Sequence, residues 1–294
     1  MSTMTESEKS ECNWIVSYVE KKANWRFPPG FDPAIVSARL TFDPLFATQR
    51  PFFFYLTIAV VNYLTHGILW LVGYSRRREY DVGSQSIYHR PSRAAKKGLP
   101  IIFIHGIGIG FPHYLGLILS FPQDCDVYLV EWPHVAMQFS YSVPTIDDTV
   151  GTITRVLRDD RHPAACFIGH SLGTTAVSWM LKSASAHLVA SSILIDPVTF
   201  LLCDPTVATS FVYNDPETTL DFMMHFFVSR ELFIANALSR HFNWSQNIMF
   251  VEDLAANVRD NPISEALPTV QHTVSKNTHT VLILSITVFV SVCR

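Results

Sequence analysis

Charge is scarce in this chain. Aspartate, glutamate, lysine and arginine make up 16% of its 294 residues, where soluble domains run at about 25%. Apolar residues fill the gap, at 48%, with a mean hydropathy of +0.20. Intrinsic disorder is thereby excluded for most of the length. A basic face is also lacking: the net charge is −3 and the pI about 6.4, which argues against a nucleic-acid partner. Cysteine is sparse and scattered. Cys12, Cys125, Cys166, Cys203 and Cys293 form no C-x-x-C pair, so reduced thiols are expected in place of a zinc site or a disulfide framework. With no nucleotide fingerprint and no metal-spaced His/Cys cluster, neither a cofactor nor a metal is expected. No basic-then-apolar signal pattern and no internal repeat is found.

Residues 1–51 mix aromatics with prolines and read as an irregular arm, with one short helix around Asn13 to Lys22. Residues 52–74 contain no Asp, Glu, Lys or Arg. A run of that length suffices to cross a bilayer, and Tyr and Trp stand near its ends, as they do at membrane interfaces. A membrane-associated helix is therefore expected. Arg76, Arg77 and Arg78 follow at once, and the excess of basic residues on that flank places the later part of the chain in the cytosol. The same stretch carries a polar stripe at helical spacing, Asn62, Thr65 and His66. It therefore also suits a helix lying on the membrane surface or packed on the next domain. Residues 75–97 read as a basic linker.

From residue 98 short apolar runs alternate with helical patterns. The strands expected are 99–106, 126–133, 164–171 and 190–197, with helices over 145–160 and 172–183. That alternation means an α/β fold, a mostly parallel sheet with helices on both faces. Residues 204–246, rich in Phe, Met and His, break the rhythm and read as a helical cap inserted over the sheet. A further apolar run, 280–292, ends in no recognisable site.

The chemistry-bearing motif is Gly169-His170-Ser171-Leu172-Gly173, a G-x-S-x-G between a strand and a helix. The strand-to-helix turn is too tight for bulky neighbours, hence the glycines, and it lifts the serine hydroxyl above the sheet. An anion formed there meets the N–H groups of a helix N-terminus. Gly106-Ile107-Gly108 follows the 99–106 strand. It supplies the second N–H of an oxyanion hole, from Ile107, the first coming from Leu172. His105 precedes the serine in chain order and reads as structural.

IIFIHGIGIG and FIGHSLGTTAVSWM resemble the α/β-hydrolase superfamily, well over residues 98–200 and loosely beyond. With the apolar segment ahead of it, the layout is similar to uncharacterised membrane-anchored hydrolases of fungi. The resemblance implies a helical cap and the hydrolysis of small-molecule ester or lipid substrates. It also assigns the nucleophile role to Ser171 and the oxyanion roles to Leu172 and Ile107. The order Ser, acid, His is expected, and Asp196, at the end of the 190–197 strand, is the candidate acid. His272 is the candidate base. His279 precedes a strand and so falls at the wrong end of the sheet. After 278–285, where the family places its other acid and its base, no carboxylate and no histidine follow. The 98–294 domain is therefore expected to be incomplete at its C-terminal end. Three functions stay open: a serine hydrolase at a membrane, a truncated or inactive hydrolase-like scaffold, and an acyltransferase on the same fold.

Overall fold

The computed structural model describes residues 4–30, 33–34, 38–95, 98–140, 142–213, 215–250, 253 and 279–283. The chain forms two units, residues 1–38 and 39–294. In the first, helix α1 (Glu6–Ala23) starts about two turns earlier than the sequence reading placed it. The side chain of Thr5 accepts the Glu8 N–H while the Glu8 carboxylate takes the Thr5 N–H, a capping box. The helix stops where Asn24 turns left-handed.

In the second unit, helix α2 (Phe52–Leu71) precedes a seven-stranded sheet. The strands are β1 (Ser75–Arg76), β2 (Ser86–Arg90), β3 (Ile101–Ile104), β4 (Val127–Glu131), β5 (Ala165–His170), β6 (Val189–Ile195) and β7 (His279–Ile283), in spatial order 1-2-4-3-5-6-7. Strands β4, β3, β5, β6 and β7 run parallel, while β1 and β2 form an antiparallel edge. The strands expected from residue 98 onward are all present, including the last. The stretch 75–97, expected to be a linker, instead supplies β1 and β2. Several of its charges are tied within the fold. Arg76 pairs with Asp81 (2.8 Å), Arg77 with Asp160 (3.1 Å), and buried Arg90 donates to the Phe121 and Pro122 carbonyls. Two of the arginines that marked a membrane flank are therefore ties within the fold.

Alternation along the strands builds a two-sided core. Ile102, Ile104, Tyr128, Val130 and Phe167 face helices α4 (Ile146–Asp159) and α5 (Gly173–Lys182), meeting Ile153, Val156, Leu157, Val177 and Met180. Phe103, Val127, Leu129 and Ile168 face the other way. There Leu69 of α2, Phe111, Phe121 and Ile118 of α3 (Leu115–Ser120) cover them. Helix α4 begins as its sequence demands, with Thr145 and Asp148 forming a second capping box. The cap consists of α6 (Pro205–Val212), α7 (Thr219–Met224) and α8 (Leu232–Asn236), with wide turns of π-helix after α7 and α8.

Helix α2 is laid on this unit with its polarity inverted. Tyr55, Asn62, Thr65 and Leu69 are buried, whereas Phe53, Val60, Tyr63, Leu64, Trp70 and Leu71 are exposed. Of the arrangements its sequence allows, packing on the following domain is the one observed, and the polar stripe forms the contact. At its N-terminal end the Tyr55 hydroxyl donates to Glu231 (2.8 Å), a buried carboxylate that also caps α8. Midway, the Asn62 amide donates to the Ile109 carbonyl (3.0 Å). One turn on, His66 Nε2 lies 3.1 Å from the buried Glu131, and its ring stacks on Tyr88. Burial pushes the Glu131 carboxyl up, but His66, His105 and Gln138 together outweigh it and hold the group below its ordinary value. Among the described residues, α2 is the one helix long and apolar enough to cross a membrane.

Candidate active site

The parallel strands end at one edge of the sheet, and Ser171, Asp196 and the glycine loop after β3 lie there. Ser171 follows β5 directly with φ +49, a left-handed conformation that a side-chain-bearing residue adopts only when its surroundings enforce it. Its N–H is held by the Ile195 carbonyl of the neighbouring strand (2.9 Å). The flanking glycines are steric requirements. A Cβ on Gly173 would stand 2.3 Å from the Ile104 carbonyl oxygen, and one on Gly169 would stand 2.9 Å from the Gly173 carbonyl oxygen. The sharp strand-to-helix turn expected at G-x-S-x-G is thus present, with α5 beginning two residues after the serine.

The glycine loop after β3 comes right up to this turn. A Cβ on Gly106 would meet Ser171 Cβ at 2.9 Å and the His170 carbonyl oxygen at 2.8 Å. Gly108 sits at φ +155, and its N–H is tied to the Val135 carbonyl (3.1 Å). Ile107 and Leu172, the two residues assigned oxyanion roles, carry N–H groups that donate no hydrogen bond within the described residues. Leu172 follows Ser171 directly, and Ile107 follows Gly106, the glycine packed against Ser171. An unpaired backbone donor at a packed site is uncommon, and two flanking one hydroxyl make a place for a developing negative charge.

Behind the serine runs a hydrogen-bond relay. The Gly106 N–H donates to the Tyr114 hydroxyl (3.1 Å), which is hydrogen-bonded to His170 Nδ1 (2.8 Å). The other ring nitrogen of His170, Nε2, lies 3.5 Å from Asp196 Oδ2. Burial lowers the His170 pKa against the opposing pull of Asp196, so the ring is neutral at neutral pH. His105 is fully buried and neutral for the same reason. It donates from Nδ1 to the Gly106 carbonyl (2.7 Å) and accepts the Trp132 N–H at Nε2 (2.9 Å). Both ring nitrogens are committed to backbone, which makes it the structural residue expected.

Asp196 lies at the end of β6, next to the turn, and it too is left-handed, at φ +46. His170 and Ile195 are register partners, so Ser171 and Asp196 are the next residues on adjacent strands. The structure therefore brings together Ser171, Leu172, Ile107, Asp196 and the motif glycines Gly106, Gly108, Gly169 and Gly173. His272 lies outside the described residues. His279 is at the entry of β7, paired with Ser191 at the far end of the sheet from the turn. No described histidine nitrogen is within hydrogen-bond distance of the Ser171 hydroxyl.

Beside Leu172 opens a cavity of about 480 Å³, walled by Trp132, Val135, Trp179 and Leu238, with His134 and His241 as polar points. Burial drives the His134 pKa down to about 3, with His105 and His241 adding to the effect.

Sequence reasoning missed Tyr114 and His170. His170 was in plain view as the variable residue of G-x-S-x-G, but its partner Tyr114 is 56 positions away. The polar stripe of α2 was seen, and its target was not.

The chain matches the family model described as "Alpha/beta hydrolase family" over residues 101–281. No curated protein sequence matches it. Among solved structures, it is similar to naproxen esterase from Bacillus subtilis, with 14% identity, a TM-score of 0.38, and coverage of 63% of this chain and 70% of that one. Carboxylesterase CesB from Bacillus subtilis gives 14%, 0.40, 77% and 79%. A membrane phospholipase A, titled a bacterial virulence factor, gives 13%, 0.40, 79% and 84%. With a family match over most of the sheet, and with the turn, the glycine loop and the strand order in place, the chain belongs to the alpha/beta hydrolase family.

Proposed function

We propose that the chain is a serine hydrolase of ester or lipid substrates working at a membrane surface. The observation that carries this reading is the strained Ser171 standing between two undonated N–H groups, those of Ile107 and Leu172. In this reading the Ser171 hydroxyl attacks the ester carbonyl carbon. The carbonyl oxygen, becoming an oxyanion, collects both N–H groups, and collapse releases the alcohol and leaves an acyl-serine for water to cleave. A histidine base takes the serine proton and passes it to the leaving alcohol, and His272 is our candidate for it. Asp196, already at the correct strand end, is the candidate carboxylate to orient that base. The cavity beside Leu172, with Trp132, Val135, Trp179 and Leu238 among its walls, is of a size for an acyl group.

The membrane setting is supported by the inverted polarity of α2. Its outward face offers Phe53, Val60, Tyr63, Leu64, Trp70 and Leu71, and the neighbouring cap adds Phe222, Met223, Phe226 and Phe227, all exposed. Phe54 joins the two surfaces by ring contacts with Phe226 and Phe227. Because α2 is held to the domain from Tyr55 to Leu69, we place it along the membrane plane, not across it. The anionic cytosolic leaflet is the surface we assign, which suits exposed Arg78 and Arg93.

The test is labelling of the full chain with a fluorophosphonate probe. Wild type is expected to label, and Ser171→Ala to lose labelling and short p-nitrophenyl ester turnover by about 10³-fold or more. Unchanged turnover in Ser171→Ala refutes the assignment.

A further inference from the structure

Asn62 sits in the middle of a segment that otherwise looks made for lipid, and it is 4% exposed. Its amide nitrogen donates to two carbonyls, Ile58 within α2 (2.9 Å) and Ile109 in the glycine loop (3.0 Å). Both partners are pure acceptors, so the orientation of the amide is fixed. Its Oδ1 is buried, has no hydrogen-bond partner among the described residues, and points at Gly110, where a Cβ would come within 3.3 Å. Gly110 is itself left-handed, at φ +81. The loop is therefore pinned at its far end by Asn62, in its middle by the Gly108 N–H on Val135, and at its near end by the Gly106 N–H on Tyr114. Ile107 lies between these pins, and its N–H is one of the two donors beside Ser171.

We propose that Asn62 is a positioning residue for the oxyanion loop. It acts from the apolar helix, through Ile109, on the place of the Ile107 N–H. The proposal rests on the serine-hydrolase reading for its catalytic consequence, though not for the loop contact itself. A polar side chain buried on the domain side of an otherwise apolar helix needs a reason to be there, because an unpaired amide in a dry contact is costly. Here the reason is the loop carbonyl. The helix that faces outward as an apolar surface faces inward as one wall of the catalytic loop.

The experiment uses three full-length variants. Asn62→Asp keeps the shape but sets an oxygen against two carbonyls, Asn62→Leu removes both bonds, and Thr65→Val alters a buried neighbour whose hydroxyl bonds only within α2. The first readout is amide hydrogen exchange of the 105–112 segment, which needs no activity. Both Asn62 variants are expected to speed its exchange while Thr65→Val and the α4 segment stay at wild-type values. The second is the fluorophosphonate labelling rate with kcat and KM on an ester. A fall in labelling and kcat of about 10- to 100-fold at unchanged KM is expected for both Asn62 variants, since small misplacements of a catalytic group carry losses of that order. Wild-type loop exchange in both Asn62 variants overturns the proposal, as does an equal loss in Thr65→Val, which would make the effect one of helix seating. A wild-type chain that fails to label overturns the hydrolase reading instead, and the exchange arm still decides whether Asn62 holds the loop.

Discussion

Helices α2 and α4 cover opposite faces of the same sheet with opposite polarity. Helix α4 buries Ile153, Val156 and Leu157 and exposes Asp147, Arg155 and Arg158. Helix α2 buries Asn62 and Thr65 and exposes Tyr63, Leu64 and Trp70. Each inner face suits what it touches: α4 meets the side chains of β-strands, whereas α2 meets loop carbonyls and the carboxylates Glu131 and Glu231. The outer faces differ because the media they suit differ, water for α4 and, in our proposal, lipid for α2.

That comparison breaks most visibly in the core. Leu157→Ala is expected to destabilise the domain by about 2–5 kcal/mol in urea unfolding. The outward residue Leu64, changed to Ser, is expected to shift stability by no more than about 0.5 kcal/mol. If Leu64→Ser proves as damaging as Leu157→Ala, its exposed position is wrong. The converse contrast is on lipid. Phe53→Ser combined with Leu64→Ser is expected to weaken binding to anionic vesicles by about 100-fold in flotation, at about 1.5 kcal/mol or more per large side chain withdrawn from lipid. Undiminished binding would leave the outward apolar face of α2 without its proposed medium.

Acid titration sharpens the comparison between the two sides. His134, in the cavity beside the start of α4, has its pKa lowered to about 3 by burial. A histidine so depressed stabilises the fold fully above its unfolded value near 6.5. Below that the unfolded chain takes up the proton first, and stability falls by about 1.4 kcal/mol per pH unit toward the folded value. Unfolding free energies at pH 7.5, 6.0 and 5.0 should show this decline, and His134→Gln should lessen it, the rest coming from the other buried histidines such as His105 and His170. Glu131, on the α2 side, has a lowered pKa, so its share persists above its unfolded carboxylate value and is lost only at lower pH. A modest effect is expected at a helix start: Thr145→Ala at the N-cap of α4 should remove about 1 kcal/mol, read by the same unfolding curves.

The legible parts of the molecule are those whose reasons are local. Gly169 and Gly173 announce the turn at Ser171 because the clash they avoid is with chain a few residues away or on the next strand. Gly106 and Gly108 announce the loop for the same reason. Thr145 and Asp148 mark the start of α4 within four residues, and Thr5 and Glu8 offered the same signal for α1, unused. The illegible parts depend on distant partners. Arg77 and Arg90 made β1 and β2 look like a basic linker because Asp160 and the Pro122 carbonyl lie far along the chain. Asn62 and His66 were visible as a stripe, but nothing near them in sequence names Ile109 or Glu131. His170 was hidden inside a motif read for its serine.

The span of α2, from Glu231 in the cap through Ile109 to Glu131 at the sheet edge, has a practical consequence. The usual route to a manageable membrane-associated enzyme is to cut away its apolar helix. Here a chain shortened to start after Leu71 would take Tyr55 from buried Glu231 and His66 from buried Glu131, and a buried polar group that loses a hydrogen-bond partner typically costs about 1–3 kcal/mol. It would also leave Ile109 without its donor. In our proposal such a fragment would lose activity for reasons unrelated to its serine, and purification in detergent with α2 intact is the preparation that tests the hydrolase reading.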